Sequence, residues 1–476
     1  MAADPRHDTT RQLAHALTCT RYRDLPAHVI ADTQRAVLDW LGSALAGSLE
    51  PQALMAREVT AGLGRADDAT VFPAGRASAA GAAFANGVAS HILELDDIHK
   101  TSTIHAGAPV ISAALAVAER EHAGGEAFLL AVALGYDAAL RIGEAVNPSH
   151  YRFWHPTGTV ATFGAAAAAA SLLRLDAEQM VHALGSAGTQ AAGLWEFNAD
   201  GAMSKHLHAG KAALNGIIAA DLARAGFTGA GRILEGERGF IRALSDARDL
   251  SCITRDLGER WLIGENCFKV HACCGHTHTA IDAALALRTQ RGWRGRDALD
   301  DIDAIHIDTY GPGFAIVGEP NPSTPYRARF SLTYCVATAL LEGRVGLEQF
   351  SADRFDASGV RDASIATILH CIRVNVADDL TRQYPAAWPA RVCIALRDGT
   401  ELAAAGDYPR GNPENPVSTG ELEDKFRSLI APHFGDEFAE RAIAAVHTLP
   451  ACADIAHVFP ALLAVRSDGR AVAVHG

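Results

Sequence analysis

The chain has 476 residues, of which 49% are hydrophobic and 20% charged, so it can fold into more than one well-buried domain. Its 55 acidic residues outnumber 42 basic ones, and the net charge of −13 excludes a nucleic acid or an anionic membrane surface as the main partner. The longest apolar run, Val160 to Leu173, is shorter than the roughly 20 residues that a membrane span needs.

The cellular compartment is indicated by the first residues and by the cysteines. The start of the chain lacks the apolar core and processing site of a signal peptide. The nine cysteines are odd in number and irregularly spaced, which is typical of reduced thiols rather than of a disulfide framework. We therefore predict a cytoplasmic protein.

Apolar residues recur at helical spacing throughout the first half of the chain. A clear case runs from Val29 to Leu45, with Gly47 as a stop signal. Further helices are predicted at about 77–95, 108–122, 125–146, 157–174, 177–187 and 208–225. Many interior positions are small, notably Ala165 to Ala170, and small side chains let helix axes approach closely. The pattern predicts a bundle whose central helices are buried on most sides.

The pattern changes near residue 268, where alternating apolar residues indicate strands. Residues 305–309 and 372–376 alternate, and Asp398-Gly399 between two alternating runs predicts a hairpin. Helices are predicted at about 277–291, 330–342, 419–432, 435–446 and 451–455. We predict a mainly α protein with a large all-helical domain and a smaller α+β domain inserted before the C-terminal helices. Their bounds are 1–267 with 406–476 for the helical domain and 268–405 for the α+β domain.

The first candidate site is a group of acids and histidines at a predicted helix end. Its members are Glu94, Asp96, Asp97, His99 and His105. They could supply a general base with orienting partners, or ligands for a divalent metal. A surface charge cluster that caps a helix is the alternative.

Two further clusters follow. His155 stands directly before Pro156 at the start of a very apolar helix, where free N–H groups favour an anion, although a capping loop explains it equally well. Lys205, His208 and Lys211 form a local positive site in an acidic protein, which suits carboxylate binding. A solvated basic loop is the alternative for this cluster.

The fourth cluster contains Lys269, His276 and His278 together with Cys273 and Cys274. Thiolates and imidazoles suit zinc, but the segment has no Cys-x-x-Cys pair, so we predict no metal here. Lys269 lies at the predicted domain junction, and such junctions are favoured places for ligand sites. The chain also lacks a Gly-rich dinucleotide fingerprint, a Walker A loop and a Gly-x-Ser-x-Gly elbow, which disfavours nucleotide cofactors and acyl-enzyme hydrolysis.

The order of these clusters and the residues within them resemble those of the MmgE/PrpD family, which includes 2-methylcitrate dehydratase, cis-aconitate decarboxylase and iminodisuccinate epimerase. The matching stretches run over nearly the whole chain. They are His91-Ile-Leu-Glu-Leu-Asp-Asp97, His105, Gly135-Tyr-Asp-Ala-Ala-Leu-Arg-Ile-Gly143, His155-Pro-Thr-Gly-Thr159, Lys205-His-Leu-His-Ala-Gly-Lys211, Gly226-Phe-Thr-Gly229, Ile233-Leu-Glu-Gly236, Phe330-Ser-Leu-Thr-Tyr334, Tyr408-Pro-Arg-Gly411 and Lys425-Phe426.

The resemblance implies a helical domain with a smaller lid domain, a homodimer, and a site in the cleft between domains. It also implies cofactor-independent chemistry on a small di- or tricarboxylate. Catalytic roles are carried over to Asp96, Asp97, His105, His155, Lys205 and Lys269, and substrate-binding roles to Glu94, His99, His208, Lys211, His276 and His278.

The reaction itself stays open among several possibilities. Removal of a proton next to a carboxylate leaves an enolate-like intermediate, which the lysines can stabilise while a histidine carries the proton. A reaction of the 2-methylcitrate dehydratase type is our first expectation, and epimerisation or decarboxylation are the alternatives. The family's decarboxylase-like members carry Asp and Thr at the positions of Glu94 and Ile98. A metal-dependent hydratase or hydrolase that uses Asp96, His99, His105 and the 271–278 cluster is the hypothesis from another class.

Overall fold

The computed structural model describes residues 8–62, 66–247 and 249–464. The structure is 60% helical with small sheets, which confirms the predicted mainly α fold. The chain divides into two compact units. Unit 1 comprises Met1–Ile92, Asp96–Asn266 and Ser418–Gly476, and unit 2 comprises Leu93–Leu95 and Cys267–Val417.

The N-terminal part of unit 1 is mainly helical and contains a small hairpin, β1 Ala69–Thr70 with β2 Arg76–Ala77. Its helices are α1 Thr9–Cys19, α2 Ala27–Gly47, α3 Pro51–Gly62, α4 Ala79–Ser90, α5 Gly107–Arg120, α6 Gly125–Val146, α7 Pro156–Thr159, α8 Ala161–Leu172, α9 Ala177–Gln190, α10 Phe197–Asp200, α11 Ser204–Arg224, α12 Phe240–Leu244 and α13 Ser251–Thr254.

Helix α8 lies in the core of unit 1, where it packs against α5, α6, α9 and α11. Ala165 to Ala170 are all fully buried in it, as the sequence predicts. A Cβ on Gly164 would lie 2.5 Å from the carbonyl oxygen of Gly135 on α6. The two helices therefore approach closely only because both positions lack a side chain.

Unit 2 is an α+β unit built around a four-stranded sheet in the order β6-β3-β7-β8. Strand β3 pairs in parallel with β6 and antiparallel with β7, with Ile305 opposite both Ile372 and Ile394. Its elements are α14 His278–Arg291, α15 Asp297–Asp301, β3 Ile302–Thr309, α16 Gly311–Val317, α17 Pro325–Arg329, α18 Leu332–Glu342, β4 Phe355–Asp356, β5 Gly359–Val360, α19 Ala363–Cys371, β6 Ile372–Val376, α20 Asp378–Thr381, β7 Ala390–Leu396 and β8 Glu401–Gly406.

The predicted hairpin at Asp398-Gly399 joins β7 to β8. Gly399 has a φ of +85°, a conformation that costs glycine little, and Val392 faces Ala404 across the pair. After this sheet the chain returns to unit 1 through α21 Thr419–Phe434, α22 Asp436–His447 and α23 Val458–Ala464.

Four predicted helices differ from the structure, among them the one at 157–174, which is divided at Val160 into α7 and α8. Helix α4 ends at Ser90 and does not reach 95, since Glu94 takes a φ of +58° that no right-handed helix contains. Helix α11 begins at Ser204 rather than 208, because its first turn buries Lys205 and His206, whose polar side chains conceal the apolar pattern. In place of a helix at 451–455 the chain forms short 3₁₀ turns at Leu449–Ala451 and Ile455–His457.

Within residues 8–62, 66–247 and 249–464, no helix combines the length and apolar character required to cross a membrane. All nine cysteines lie within the described residues and carry free thiols.

Candidate active site

Four residues of the first cluster, Asp96, Asp97, His99 and His105, lie between the end of α4 and the start of α5 in unit 1, whereas Glu94 belongs to unit 2. His91 follows α4 directly, and His105 lies two residues before α5 begins. Between them, a bridge from His99 to Ile104 folds the segment back on itself, and the backbone N–H of His105 donates to Thr157 Oγ1 at 3.1 Å. This fold brings Asp96 next to His105.

Asp96 is held between two histidines. Its Oδ2 atom lies 2.6 Å from Nδ1 of His91 and 3.3 Å from Nδ1 of His105. Burial alone raises the pKa of Asp96, but the charges and hydrogen bonds of His91 and His105 outweigh it and hold the pKa well below the usual value. Asp96 is therefore a carboxylate at neutral pH.

His155 and His208 extend this group. His155 occupies the N-cap position of α7 directly before Pro156, and its Nδ1 lies 3.0 Å from Nδ1 of His208 on α11, so one ring donates and the other accepts. The His155 ring stacks on His91 with centroids 5.5 Å apart and lies 6.4 Å from that of His105. We call His91, Asp96, His105, His155 and His208 the histidine cluster.

Electrostatics keep His155 and His208 neutral. Burial lowers the pKa of His155 well below its usual value, and His208, His91 and Lys205 lower it further. Burial, followed by the charge of Lys211, lowers the pKa of His208 to about 3. A bound polyanion would reverse part of this effect, because negative charge favours a protonated imidazole.

Lys205 brings a buried cation to the same region. It is only 2% exposed on the first turn of α11, one helical turn before His208. Its charge lowers the pKa of both His155 and His208. An ammonium beside neutral histidines and an ionised carboxylate provides what acid–base chemistry on an anion requires.

Asp97 has a different environment from Asp96. Its carboxylate accepts hydrogen bonds from Tyr136 Oη at 2.6 Å, from Asn266 Nδ2 and from the backbone N–H of Gly107 at the start of α5. Burial and then the charge of Asp39 raise the pKa of Asp97 to about 7. These contacts describe a residue that anchors α5, and the predicted catalytic role of Asp97 stays a prediction.

His99 belongs to a second group, with Glu144 and Glu265. Its Nδ1 lies 2.9 Å from Ser102 Oγ, and burial lowers its pKa to about 4. Arg260 binds both glutamates through its guanidinium, with contacts of 2.7–3.1 Å. The structure therefore separates His99 from the histidine cluster and places it beside an ion-pair network.

Lys211, expected to bind substrate, donates instead to the backbone carbonyls of Gly158 at 3.1 Å and Ala192 at 2.6 Å. Burial lowers the pKa of Lys211 to about 8. Its ammonium ties the segment after α9 to α7, so its geometry is that of a structural contact.

The remaining predicted residues lie in unit 2. Lys269 Nζ is 3.2 Å from Glu94 Oε2, and both side chains are at most 2% exposed. The φ of +58° at Glu94 shows a strained backbone, of the kind that functional sites commonly hold. Burial, followed by the charge of Glu94, raises the pKa of Tyr326.

His276 and His278 lie elsewhere in unit 2. His276 Nδ1 is 2.6 Å from Tyr310 Oη, and its ring packs 4.5 Å from that of Trp388. His278 Nε2 lies 3.2 Å from the carbonyl oxygen of Cys273. Both rings are thus held by contacts within unit 2, and their predicted role in substrate binding stays a prediction.

Metal binding can be assessed from two groups of potential ligand atoms among the described residues. In the first, His91, Asp96 and His105, the 2.6 Å separation of Nδ1 and Oδ2 is shorter than the about 3.3 Å between two ligands of a tetrahedral zinc. These atoms are placed for a hydrogen bond. In the second, Arg260 already neutralises Glu144 and Glu265. The metal-dependent hypothesis required Asp96 and His99 to bind one ion. In the structure these two residues belong to two different groups of potential ligands.

His91 is the cluster member to which sequence reasoning gave no role. It is the first residue of the quoted motif, five positions before Asp96, and its side chain is fully buried. The spacing His-x-x-x-x-Asp was visible, but a histidine on an apolar helix resembles an ordinary core residue. Only the fold brings its ring against His105 and His155.

Comparison with known proteins identifies the family. The chain matches the MmgE/PrpD N-terminal domain over residues 11–253 and the MmgE/PrpD C-terminal domain over residues 271–450. A cis-aconitate decarboxylase-like protein of Aspergillus oryzae is 28% identical, covering 95% of this chain and 97% of its own length. Cis-aconitate decarboxylase of Homo sapiens is 29% identical, covering 92% and 91%. A 2-methylcitrate dehydratase-like protein of Aspergillus oryzae is 28% identical over 37% of this chain and 36% of its own length.

The chain thus combines a helical unit that holds a buried acid–histidine cluster with an α+β unit, and the relatives it matches are named as decarboxylase, decarboxylase-like and dehydratase-like proteins. The chain belongs to the MmgE/PrpD family, as its motifs predict.

Proposed function

We propose that this protein is a cofactor-independent lyase that acts on a small di- or tricarboxylate by moving a proton at a carbon next to a carboxylate. The observation that carries this proposal is the histidine cluster with Lys205 beside it. The cluster combines an ionised carboxylate, two neutral histidines in mutual contact and a buried cation.

His105 and Lys205 have complementary roles in the proposed reaction. Oδ2 of Asp96 lies 3.3 Å from Nδ1 of His105, so the carboxylate favours the tautomer that carries its proton on Nδ1 and leaves Nε2 of that ring as the basic nitrogen. Lys205 stabilises the negative charge that develops on the substrate when a C–H or C–COO⁻ bond breaks, and such stabilisation is strong in a site from which water is excluded. His155 returns a proton, because the substrate's charge raises its affinity for one.

The reaction type follows from where the electron pair goes. In decarboxylation the C–C bond breaks, carbon dioxide leaves and a histidine protonates the carbon skeleton. In dehydration a histidine removes a proton from carbon and a second acid protonates the departing hydroxide. We put decarboxylation of a cis-aconitate-like acid first, because relatives matched over most of their length carry that name, and 2-methylcitrate-type dehydration second. Epimerisation of the iminodisuccinate type, in which the proton returns to the opposite face, is third.

We also propose that the protein works in the cytosol as a homodimer. Free thiols at all nine cysteines support a reducing compartment. A surface groove in unit 1 of about 260 Å³ supports self-association, because it exposes four large apolar side chains. These are Met55, Val59, Met203 and Leu207, each at least 44% exposed.

Proton NMR in heavy water tests the proposed reaction. Chelator-treated protein is mixed with cis-aconitate, citrate, 2-methylcitrate, malate, tartrate or iminodisuccinate. Loss of a C–H signal next to a carboxylate establishes proton transfer, and the product distinguishes decarboxylation, dehydration and epimerisation. Activity that appears only after a divalent metal is restored would replace this proposal with the metal-dependent hydratase or hydrolase. Inactivity against every acid, with or without metal, would contradict it.

A further inference from the structure

His91 lies at the centre of the histidine cluster. Its ring packs edge-on against His105 with centroids 4.8 Å apart and stacks on His155 at 5.5 Å. His206 of α11 adds a further contact, because its Nδ1 lies 3.2 Å from the carbonyl oxygen of His91. The position of His91 is thus fixed from several sides.

Hydrogen bonding fixes the tautomer of His91. Asp96 is an ionised acceptor, so the short 2.6 Å contact requires a proton on Nδ1 of His91. The other ring nitrogen, Nε2, is buried and has no hydrogen-bond partner within the part of the chain that the structure describes. The His91 ring therefore donates to Asp96 through Nδ1 and has no second hydrogen-bond partner among the described residues.

His91 and His105 differ in whether a substrate can reach them. The side chain of His91 is fully buried, whereas that of His105 is 8% exposed. Both rings present Nδ1 to the same oxygen, Oδ2 of Asp96. A proton donated by His91 to this oxygen reduces the negative potential that His105 experiences and prevents the carboxylate from turning.

We propose that His91 is a positioning residue: acting through Asp96, it fixes the orientation of His105 and moderates its basicity. The inference rests on the proposed function, since it assigns His91 a part in the same proton transfer. His91 does not touch the substrate, and its effect reaches the reaction only through the shared carboxylate oxygen.

Two substitutions separate this role from simple packing. His91→Leu fills the space but removes the donor, whereas the amide of His91→Asn can place an N–H near the position of Nδ1. His182→Leu is the matched control, because it removes a histidine of α9 whose Nδ1 contacts the carbonyl oxygen of Gly229, outside the cluster. Circular dichroism and thermal unfolding show which variants are folded.

The first readout is the pH profile of kcat/KM with the acid that turns over. We expect His91→Leu to lower kcat about 100-fold with little change in KM, since a small misplacement of a catalytic group costs this much. The acidic limb of the kcat/KM profile of His91→Leu should move to higher pH by about one unit, because Asp96 then attracts a proton on His105 more strongly. His91→Asn should restore most of kcat and the position of the limb, and His182→Leu should keep the wild-type limb.

The second readout needs no substrate. In protein labelled with ¹⁵N-histidine, the wild type should show a low-field imidazole proton from the His91–Asp96 hydrogen bond, and His91→Leu should lose it. The titration midpoint of His105 should rise in His91→Leu and return towards the wild-type value in His91→Asn. An unchanged midpoint in folded His91→Leu would overturn the proposal, even where the enzyme is active. If the midpoint shifts in His91→Leu but the wild-type protein turns over no acid, the result would contradict the proposed function alone.

Discussion

His155 and Lys205 are the side chains on which the proposed chemistry most depends. We expect Lys205→Met and His155→Gln to lower kcat by about 10²- to 10⁴-fold, because one removes the buried cation and the other a proton carrier. Lys425→Met is the matched control for charge, since the Lys425 ammonium pairs with Asp39, which is not a member of the histidine cluster. It should lose stability rather than turnover. Steady-state kinetics with thermal unfolding measure both effects, and wild-type turnover in Lys205→Met and His155→Gln would refute the site.

The raised pKa of Asp97 predicts how the free energy of unfolding depends on pH. Its pKa is about 7 in the folded protein, because burial and Asp39 disfavour its charge, against about 3.9 in an unfolded chain. Between these values the folded state binds more protons than the unfolded state, so the free energy of unfolding falls as pH rises from about 4 to 7. The loss amounts to at most about 4 kcal/mol.

Urea unfolding at pH 5 and pH 8 tests this sign. Asp97→Asn should lose less stability between the two pH values than the wild type does. Asp303→Asn, at an exposed carboxylate, should keep the wild-type difference. An equal pH dependence in Asp97→Asn and the wild type would show that Asp97 is not the group that titrates.

At the scale of elements, the contact between α6 and α8 depends on paired glycines. In Gly164→Ala the new Cβ would lie 2.5 Å from the carbonyl oxygen of Gly135 and 2.8 Å from Cβ of Ala139, so a helix must shift. We expect a loss of about 1–3 kcal/mol in the free energy of unfolding. Gly420→Ala is the control, because nothing lies closer than 4.0 Å to its Cβ on α21, and it should stabilise by about 0.4–1 kcal/mol. Chemical denaturation of both variants measures these changes, and equal stability would contradict the close approach.

The elements that the sequence predicts correctly are those whose pattern is local. Helical periodicity indicates α2, α5 and α6, and Asp398-Gly399 indicates the β7–β8 hairpin, because turn chemistry depends on adjacent residues. The first turn of α11 is not predicted, because its buried face is made of lysine and histidine. Asp96 and His105 are close in sequence, so their proximity in the fold could be predicted from the sequence. His155 and His208 are 53 residues apart, and only the packing of α7 against α11 brings their nitrogens together.

For the whole molecule, the exposed groove on unit 1 gives the proposed homodimer a testable face. Met203 and Leu207 lie on the first turn of α11 or directly before it, and are 51% and 44% exposed, while Lys205 between them is buried. The same helical turn thus presents apolar side chains to the outside and the site's cation to the inside. A second copy that covers the groove would order the turn that carries Lys205.

Leu207→Glu tests this coupling, because a charge buried in an apolar interface is costly without a partner. Light scattering should show a monomer for Leu207→Glu and a dimer for the wild type. Phe227→Glu alters another exposed apolar side chain, 58% exposed and outside the groove, and should remain a dimer. We also expect the monomeric variant to raise KM, because the carboxylate binding proposed for Lys205 depends on an ordered first turn of α11. A Leu207→Glu protein that stays dimeric would place the interface elsewhere, and a monomer with wild-type KM would show that the groove supports association without supporting the site.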